Sequence, residues 1–497
     1  MDHDLLVDPI LTWRSQAGQK RKTTLPGAIS LVASGQLGDF PRLRAHQFQP
    51  WCMFITQLAA IALRRGGRGD PRLTEDEWRQ LLLELTGGAH EAWCVVVDDL
   101  ARPAFFQPPV PEGTLDGWST SEHPDDIDIL VTAKAHDVKT GLIASEDMEA
   151  WVYALVSLQT MQGYPGRGYN GISRMKRGYG NRPRVGCMPD LTIGARFLRD
   201  VAVLLDTWDI LVQQRGFRDD GLGLVWTRPW DGTTSLTFCE LAPHFIELCW
   251  RVRFPAEKRI HCAYTTTRHR RCLPEVEDGD VGDPWIPIER GVGALTVGSR
   301  GFDYRLVARL LFENDFEPAA AQRLKHADGD PVLFTASALA RGQGRTEGLH
   351  ERTISIAGAA RSRLWHPDSR AALGRRAQDW IANADKMGRK VLFPALMRIA
   401  PGDTPPQDTF SAHVDEVFFD YLFGTVEAPE DEARLGFTAE IRDIAWNELQ
   451  RAIDRCAVPD AQRLKAITEA EGLFHRCLRR HFPDLVFAEA GQQGGAS

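Results

Sequence analysis

Apolar residues recur at helical spacing along Gln47–Leu63, and the run stops at Arg64, Arg65, Gly66 and Gly67. The segment TEDEWRQLLLELTGG predicts a bounded helix. Thr74 caps it, Glu77 closes a capping box, and Gly87-Gly88 ends it. EDMEAWVYALVSLQTMQ predicts another, with Ser145 as cap, Trp151, Leu155, Leu158 and Met161 on one side, and Gly163 as stop. Ile193–Val212 and Tyr304–Phe312 carry the same periodicity. Strand-like patterns fall in LLVDPILTW, at Cys94–Val97, and in LGLVWTRPW, HFIELCWRVRF and RIHCAYTTT. Two more strands, PVLFTASALA and LHERTISIA, flank the glycine-rich RGQGRTEG. Beyond residue 365 only helical periodicity remains, over Ser369–Ile399 (with a kink expected at Pro394), Thr409–Phe423, Ala433–Cys456 and Pro459–His481. The pattern predicts an α+β chain. A large mixed domain with small sheets and hairpins spans residues 1–365, and an antiparallel four-helix bundle spans 366–497, with a disordered tail.

Composition changes this picture little. The 497 residues are 43% hydrophobic and 25% charged, ordinary for a globular protein, and the net charge is −8. The distribution of charge is more telling. Acid collects in Glu112–Asp128, Glu275–Asp283 and Glu427–Glu432, and base in 161–188, Arg251–Arg271 and Arg341–Arg376. A positive face on a negative remainder is the expectation. Nine cysteines without a C-x-x-C pair argue against a disulfide frame or a zinc site. The first residues, MDHDLLVDPI, are acidic where a signal peptide is basic, and the apolar run Trp51–Leu63 is too short to span a bilayer. A cytoplasmic protein with no membrane partner is expected.

The densest chemistry lies in residues 161–188, MQGYPGRGYNGISRMKRGYGNRPRVGCM. It has seven glycines, three tyrosines and six cations (Arg167, Arg174, Lys176, Arg177, Arg182, Arg184), and no Asp or Glu. Glycines allow close backbone approach, arginines offer forked donors to phosphate, and tyrosines offer flat faces to bases. GRGYNG, residues 166–171, matches a dinucleotide fingerprint by letter, but it follows a helix where that motif follows a strand. A loop that tracks a nucleic-acid backbone fits better. In RGQGRTEGLHER, Gln343, Gly344, Arg345 and Thr346 sit at a predicted hairpin tip and read equally as turn geometry or as a wedge. TTTRHRRC, with Arg268, His269, Arg270 and Arg271, reads by itself as a solvated edge. PDDIDI offers Asp125, Asp126 and Asp128 as the carboxylates of a metal-dependent nuclease, the alternative enzyme reading. No nucleophile, base and orienter assemble.

The order of DLLVDPILTWR, RPAFFQ, TAKAHDVK, SLQTMQGYPGRGYNGISRMKRGYGNRP and RGQGRTEGLHER ahead of a helical bundle resembles the CasA family, the large subunits of type I-E CRISPR Cascade complexes. The resemblance implies a non-catalytic subunit; some relatives carry paired cysteines for zinc, and this chain does not, so no metal or cofactor is expected. Its implied partners are the guide RNA (crRNA), target double-stranded DNA, the other Cascade subunits and a recruited helicase–nuclease. It implies recognition of the short protospacer-adjacent motif (PAM) as duplex, and opening of that duplex to start an R-loop. By position it makes Gly166, Arg167, Gly168, Tyr169 and Asn170 the PAM-facing glycine loop. Arg174, Lys176, Arg177, Arg182, Arg268, Arg270 and Arg271 become further DNA contacts, and Gln343–Thr346 the wedge. Lys134, His136 and Lys139 then fall near the guide RNA end. A guide-RNA scaffold that never touches DNA is the remaining alternative.

Overall fold

The computed structural model describes residues 2–130, 147–178, 180–257, 260–325, 329–342, 346–399, 407–455 and 460–485. The chain divides into two compact units, Met1–Phe302 with Asp315–Ser355, and Asp303–Asn314 with Ile356–Ser497.

The first unit is organised around the helix Ala45–Arg65, whose residues are buried from His46 to Leu63 apart from the half-buried Phe48. The helices Met148–Met161 and Ile193–Arg215 pack against it. An aromatic core surrounds them. Phe54 meets Phe105 and Phe106 at 5.8 and 5.2 Å between ring centroids, and Phe106 stacks on Trp226 at 4.7 Å. Such pairs add about 0.5–1.5 kcal/mol each beyond their buried area. The helix Glu75–Leu85 is capped as its sequence predicts: Glu77 N–H donates to Thr74 Oγ1 at 3.3 Å, and Thr74 N–H donates to the Glu77 carboxylate at 2.9 Å. The cap of Met148–Met161 is Asp147, whose carboxylate accepts from Ala150 N–H. Ser145, the expected cap, lies outside the described residues.

The described strands form six small sheets of two or three strands. In one of them Val332–Arg341 lies between Thr346–Ile356 and Arg184–Met188, pairing antiparallel with the latter from Leu333↔Met188 to Ser337↔Arg184. The two strands predicted around RGQGRTEG therefore form. In another, Cys262–Thr265 lies between Arg251–Arg253 and Ser119–Ser121. The run HFIELCWRVRF is two strands, Leu241–Ile246 and Arg251–Arg253, in different sheets.

The second unit is helical. Pro367–Met387, Gln407–Gly424, Glu430–Asp454 and Asp460–His481 are its long helices, and Tyr304–Phe312 joins them with Tyr304 against Phe418. Trp380 stacks on Phe437 at 4.5 Å and 9°. The buried Arg376 gathers the Thr425 carbonyl and the Glu430 carboxylate, which fixes the turn between two helices. The helical irregularity falls before the expected kink: Gly388–Leu392 is one turn of π-helix ahead of Pro394. Phe393 N–H donates to the Gly388 carbonyl, so the wide turn comes just before the residue that has no N–H to give.

Candidate nucleic-acid interface

The acid-free segment splits into an outer turn and an inner base. Tyr169 N–H donates to the Gly166 carbonyl at 3.1 Å, closing a tight turn with Arg167 and Gly168 at its centre. Gly168 has φ +87°, as the third position of a type II turn requires. A Cβ there would also stand 2.8 Å from Thr266 Cγ2, so glycine is needed for conformation and for space. Thr267 N–H donates to the Gly168 carbonyl at 2.8 Å, and the Asn170 amide donates to Thr267 Oγ1 at 3.0 Å. Arg268 N–H in turn donates to the Gly232 carbonyl at 2.8 Å. Three segments distant in sequence thus stack edge to edge.

This junction brings together the glycine loop and the start of TTTRHRRC. Arg167, Arg268 and His269 are exposed there, and among the described residues neither the Arg167 nor the Arg268 guanidinium has a carboxylate partner. Tyr169 lies 4.4 Å from Trp250 and 6.3 Å from Tyr264, ring centroid to centroid, all three half-buried. One anion borders the patch. Asp231 accepts from the hydroxyls and backbone N–H groups of Thr233 and Thr234, and these bonds hold its carboxyl well below the usual range. Its charge organises the turn that carries Gly232.

The inner base differs. Arg174 and Arg182 are only 2% and 1% exposed, and both face the buried Asp283 carboxylate, at 3.2 and 2.6 Å. Arg174 also lies 3.3 Å from the buried Glu247 and 4.3 Å from the Phe245 ring centroid. Arg184 meets Asp200 at 2.8 Å, likewise buried. Burial acts to raise the Asp283 carboxyl, but the charges of Arg182 and Arg174 outweigh it and hold the group below the ordinary carboxylate range. Glu247 is pushed up by burial, against the pull of Arg174. Two cations and two anions balance in one dry node.

Arg174 and Arg182, expected as DNA contacts, are therefore structural. Their counter-charges come from Glu247 and Asp283, far away in sequence. The run Glu275–Asp283 is divided as well: Asp283 is buried against the arginines, whereas Glu275, Glu277 and Asp278 are exposed, with Glu277 3.6 Å from Arg177. Of the remaining cations, Lys176 is half-buried and has no carboxylate partner among the described residues. Arg177 is exposed, and its contact with an exposed Glu277 contributes little.

A second correction concerns Arg270 and Arg271. Arg271 is 2% exposed, lies over the Trp230 ring and donates to the carbonyls of Pro229 and Arg228. Arg270 donates to the Pro274 and Val276 carbonyls. Neither guanidinium is offered outward as Arg268 is. Thr346 begins a strand, whereas Gln343, Gly344 and Arg345, like Lys134, His136 and Lys139, lie outside the described residues.

The three aspartates of the nuclease alternative are each engaged in holding the fold. Asp125 pairs with Arg44, Asp126 accepts from the Ser121 hydroxyl at 2.8 Å, and the buried Asp128 binds His46 and Gln47, both at 2.6 Å. Among the described residues no three His, Cys, Asp or Glu side chains are grouped to hold a metal ion. None of the described helices is long and apolar enough to cross a membrane. The residues that sequence reasoning missed are Glu247 and Asp283. A lone glutamate inside the apolar run HFIELCW was the available signal.

No protein-family model matches the chain, and no curated protein sequence matches it. Solved structures do. CasA (Cse1) of Thermus thermophilus aligns with a TM-score of 0.61 and 14% identity over 96% of this chain and 100% of that one. Cse1 of Acidimicrobium ferrooxidans aligns with a TM-score of 0.64 and 16% identity over 98% and 99%. A chain of a CRISPR RNA-guided surveillance complex aligns with a TM-score of 0.53 and 14% identity over 95% and 99%. The chain thus has the fold of the CasA/Cse1 proteins over nearly its whole length.

Proposed function

We propose that this chain is a non-catalytic large subunit of an RNA-guided type I-E Cascade complex in the cytoplasm, and that it contacts target duplex DNA through the turn Gly166–Asn170. The observation that carries the proposal is the docking of that turn on Thr266–Arg268, with Arg167, Arg268 and His269 outward. Backbone at Gly166 and Gly168 suits close approach to a groove, and the two arginines suit phosphates. A reader built this way in the minor groove discriminates loosely, because that groove presents a degenerate pattern. It therefore accepts several related PAMs. Lys176 and Arg177 extend the contact to the sugar–phosphate backbone.

In this reading the hairpin that joins Val332–Arg341 to Thr346–Ile356 is the wedge, with Gln343, Gly344, Arg345 and Thr346 at its tip. Unstacking a base step costs a few kcal/mol, offset by guide pairing beyond it. Lys134, His136 and Lys139 belong near the guide RNA end, and the assembly recruits a helicase–nuclease.

The test is a complex reassembled from the other Cascade proteins and guide RNA, with and without this chain. Tight binding of PAM-bearing duplex is expected only with it, and equal binding without it rejects the proposal. Crosslinks from the turn to guide RNA alone would favour the scaffold reading. Replacing Gln343, Arg345 and Thr346 with alanine is expected to slow opening of paired DNA and to spare pre-melted DNA. Equal loss on both rejects the wedge.

A further inference from the structure

A second concentration of cations lies in the helical unit. Lys386 lies in the last turn of the helix Pro367–Met387, and Arg389 and Lys390 stand in the π-turn that follows; all three are exposed. On Asp460–His481 the residues Ala470, Phe474 and Leu478 are buried at spacing four, so Arg476, Arg479 and Arg480 lie on the outer side, also exposed. The two stretches are neighbours, since Lys386 Nζ lies 4.9 Å from the Phe482 ring centroid. The His481 imidazole is held below its ordinary value by desolvation and then by the charges of Arg480, Lys386 and Lys390.

Anions are scarce here. Asp385 is 3.8 Å from Arg389 but 2.5 Å from Arg305, which claims it. Asp484 lies toward Arg434 at 3.6 Å. Among the described residues, Arg389 alone of these six exposed cations has a carboxylate within 4 Å, and it shares that one with Arg305. The π-turn is a second, independent sign, because such turns recur at functional sites. It carries Arg389 and Lys390 outward while Val391 and Leu392 stay buried.

We infer that this face, formed by the π-turn and the outer side of the last helix, binds the phosphate backbone of nucleic acid. The alternatives fit less well. An interfacial membrane helix needs an apolar face to insert, and both helices spend theirs on the bundle. The exposed Leu464 is sixteen residues from Arg480, about 24 Å along the helix. An acidic protein partner would need apolar anchors, and no other large hydrophobic residue of this unit is exposed among the described residues. Long, flexible cations, one of them with a shared carboxylate, match a polyanion read for charge and not for sequence. The inference does not depend on the glycine turn.

The test uses the full chain, with labelled duplex and single-stranded DNA titrated by fluorescence anisotropy across a salt series. One variant carries Lys386→Glu, Arg389→Glu and Lys390→Glu, and another Arg476→Glu, Arg479→Glu and Arg480→Glu. Each is expected to weaken binding about tenfold or more at low salt and to flatten the salt slope by about two to three, one near-unit per lost phosphate contact. Lys465→Glu, at the far end of the same helix, is expected to change neither. Glutamine versions of both triples keep the test open if reversal unfolds the bundle, and thermal melting checks that point. Unchanged affinity and slope in both triples overturn the inference, as does no binding by the parent chain. Capture by anionic-lipid vesicles with DNA binding intact overturns it in favour of a membrane. An Arg167→Ala/Arg268→Ala variant separates the two faces: if it alone loses binding, this inference falls while the glycine-turn proposal stands.

Discussion

The two parts of the acid-free segment share a vocabulary of glycine and arginine, and the fold treats them in opposite ways. Around Gly166–Asn170 the backbone is held by hydrogen bonds from Thr267 and Asn170, which leaves Arg167 free in solvent. At Arg174, Arg182 and Arg184 the guanidinium groups themselves are the fastening, each buried against Glu247, Asp283 or Asp200. The outer turn has a rigid mount. The buried node supplies one at both ends of the loop: Arg174 N–H groups reach Asp283 and the Phe245 carbonyl, and Arg182 N–H donates to the Met161 carbonyl. Buried ion pairs add little net stability over apolar packing, but removing one partner is costly, so such a node acts chiefly as a lock on one geometry.

Asp283→Asn gives the largest expected effect. It strands Arg174 and Arg182 with half their counter-charge, and a loss of about 3 kcal/mol or more in denaturant unfolding is expected. A loss under about 0.5 kcal/mol would erase the distinction between base and turn. Acid should act in the same direction. Asp283 and Asp200 have carboxyls lowered in the folded chain, so their contribution is full above the unfolded value near 4 and is lost as pH falls through the folded values. Glu247, raised by burial, opposes this over part of the range. Melting between pH 6 and pH 3, at about those limits, is expected to show a smaller acid loss in Asp283→Asn than in the parent.

Gly168→Ala sharpens the turn side. Its φ and the Thr266 contact predict about 1–2 kcal/mol of strain. Hydrogen exchange should then rise at the Thr267 amide while the core around Trp226 stays protected. Arg167→Ala with Arg268→Ala is expected to leave stability within about 0.5 kcal/mol. In the reassembled complex the same pair should weaken duplex binding across sequences and lower the salt slope by about one per lost contact. Tyr169→Ala is expected to cost about 0.5–1.5 kcal/mol of lost ring contact with Trp250. If it weakens DNA binding more than it lowers the melting temperature, the aromatic cluster touches the ligand as well.

Much of the scaffold was legible in the chain. The capping box at Thr74, the boundaries of Tyr304–Phe312 and the hairpin around RGQGRTEG all rest on interactions within a few residues, which local pattern encodes. The split of HFIELCWRVRF into two strands was not legible, because separate sheets claim its two halves. The three aspartates of PDDIDI stood only as an alternative in the sequence, and Arg44, His46 and Gln47, at the start of the helix Ala45–Arg65, hold two of them.

Within residues 161–188 the chain itself determined that a glycine-rich loop forms, while the need for glycine at Gly168 comes both from its local backbone conformation and from the distant Thr266 packed against it. The chain also determined that the segment needs anions from elsewhere, because it has none. Which anions answer was a tertiary decision. The strand Leu241–Ile246 delivers Glu247, and the loop before Trp285 delivers Asp283, to the arginines of the base, while Thr266–Arg268 offers the outer turn only backbone and hydroxyl groups. Charge neutralisation acts through space, so a one-dimensional reading found the cations and only the folded chain could say which of them remain free.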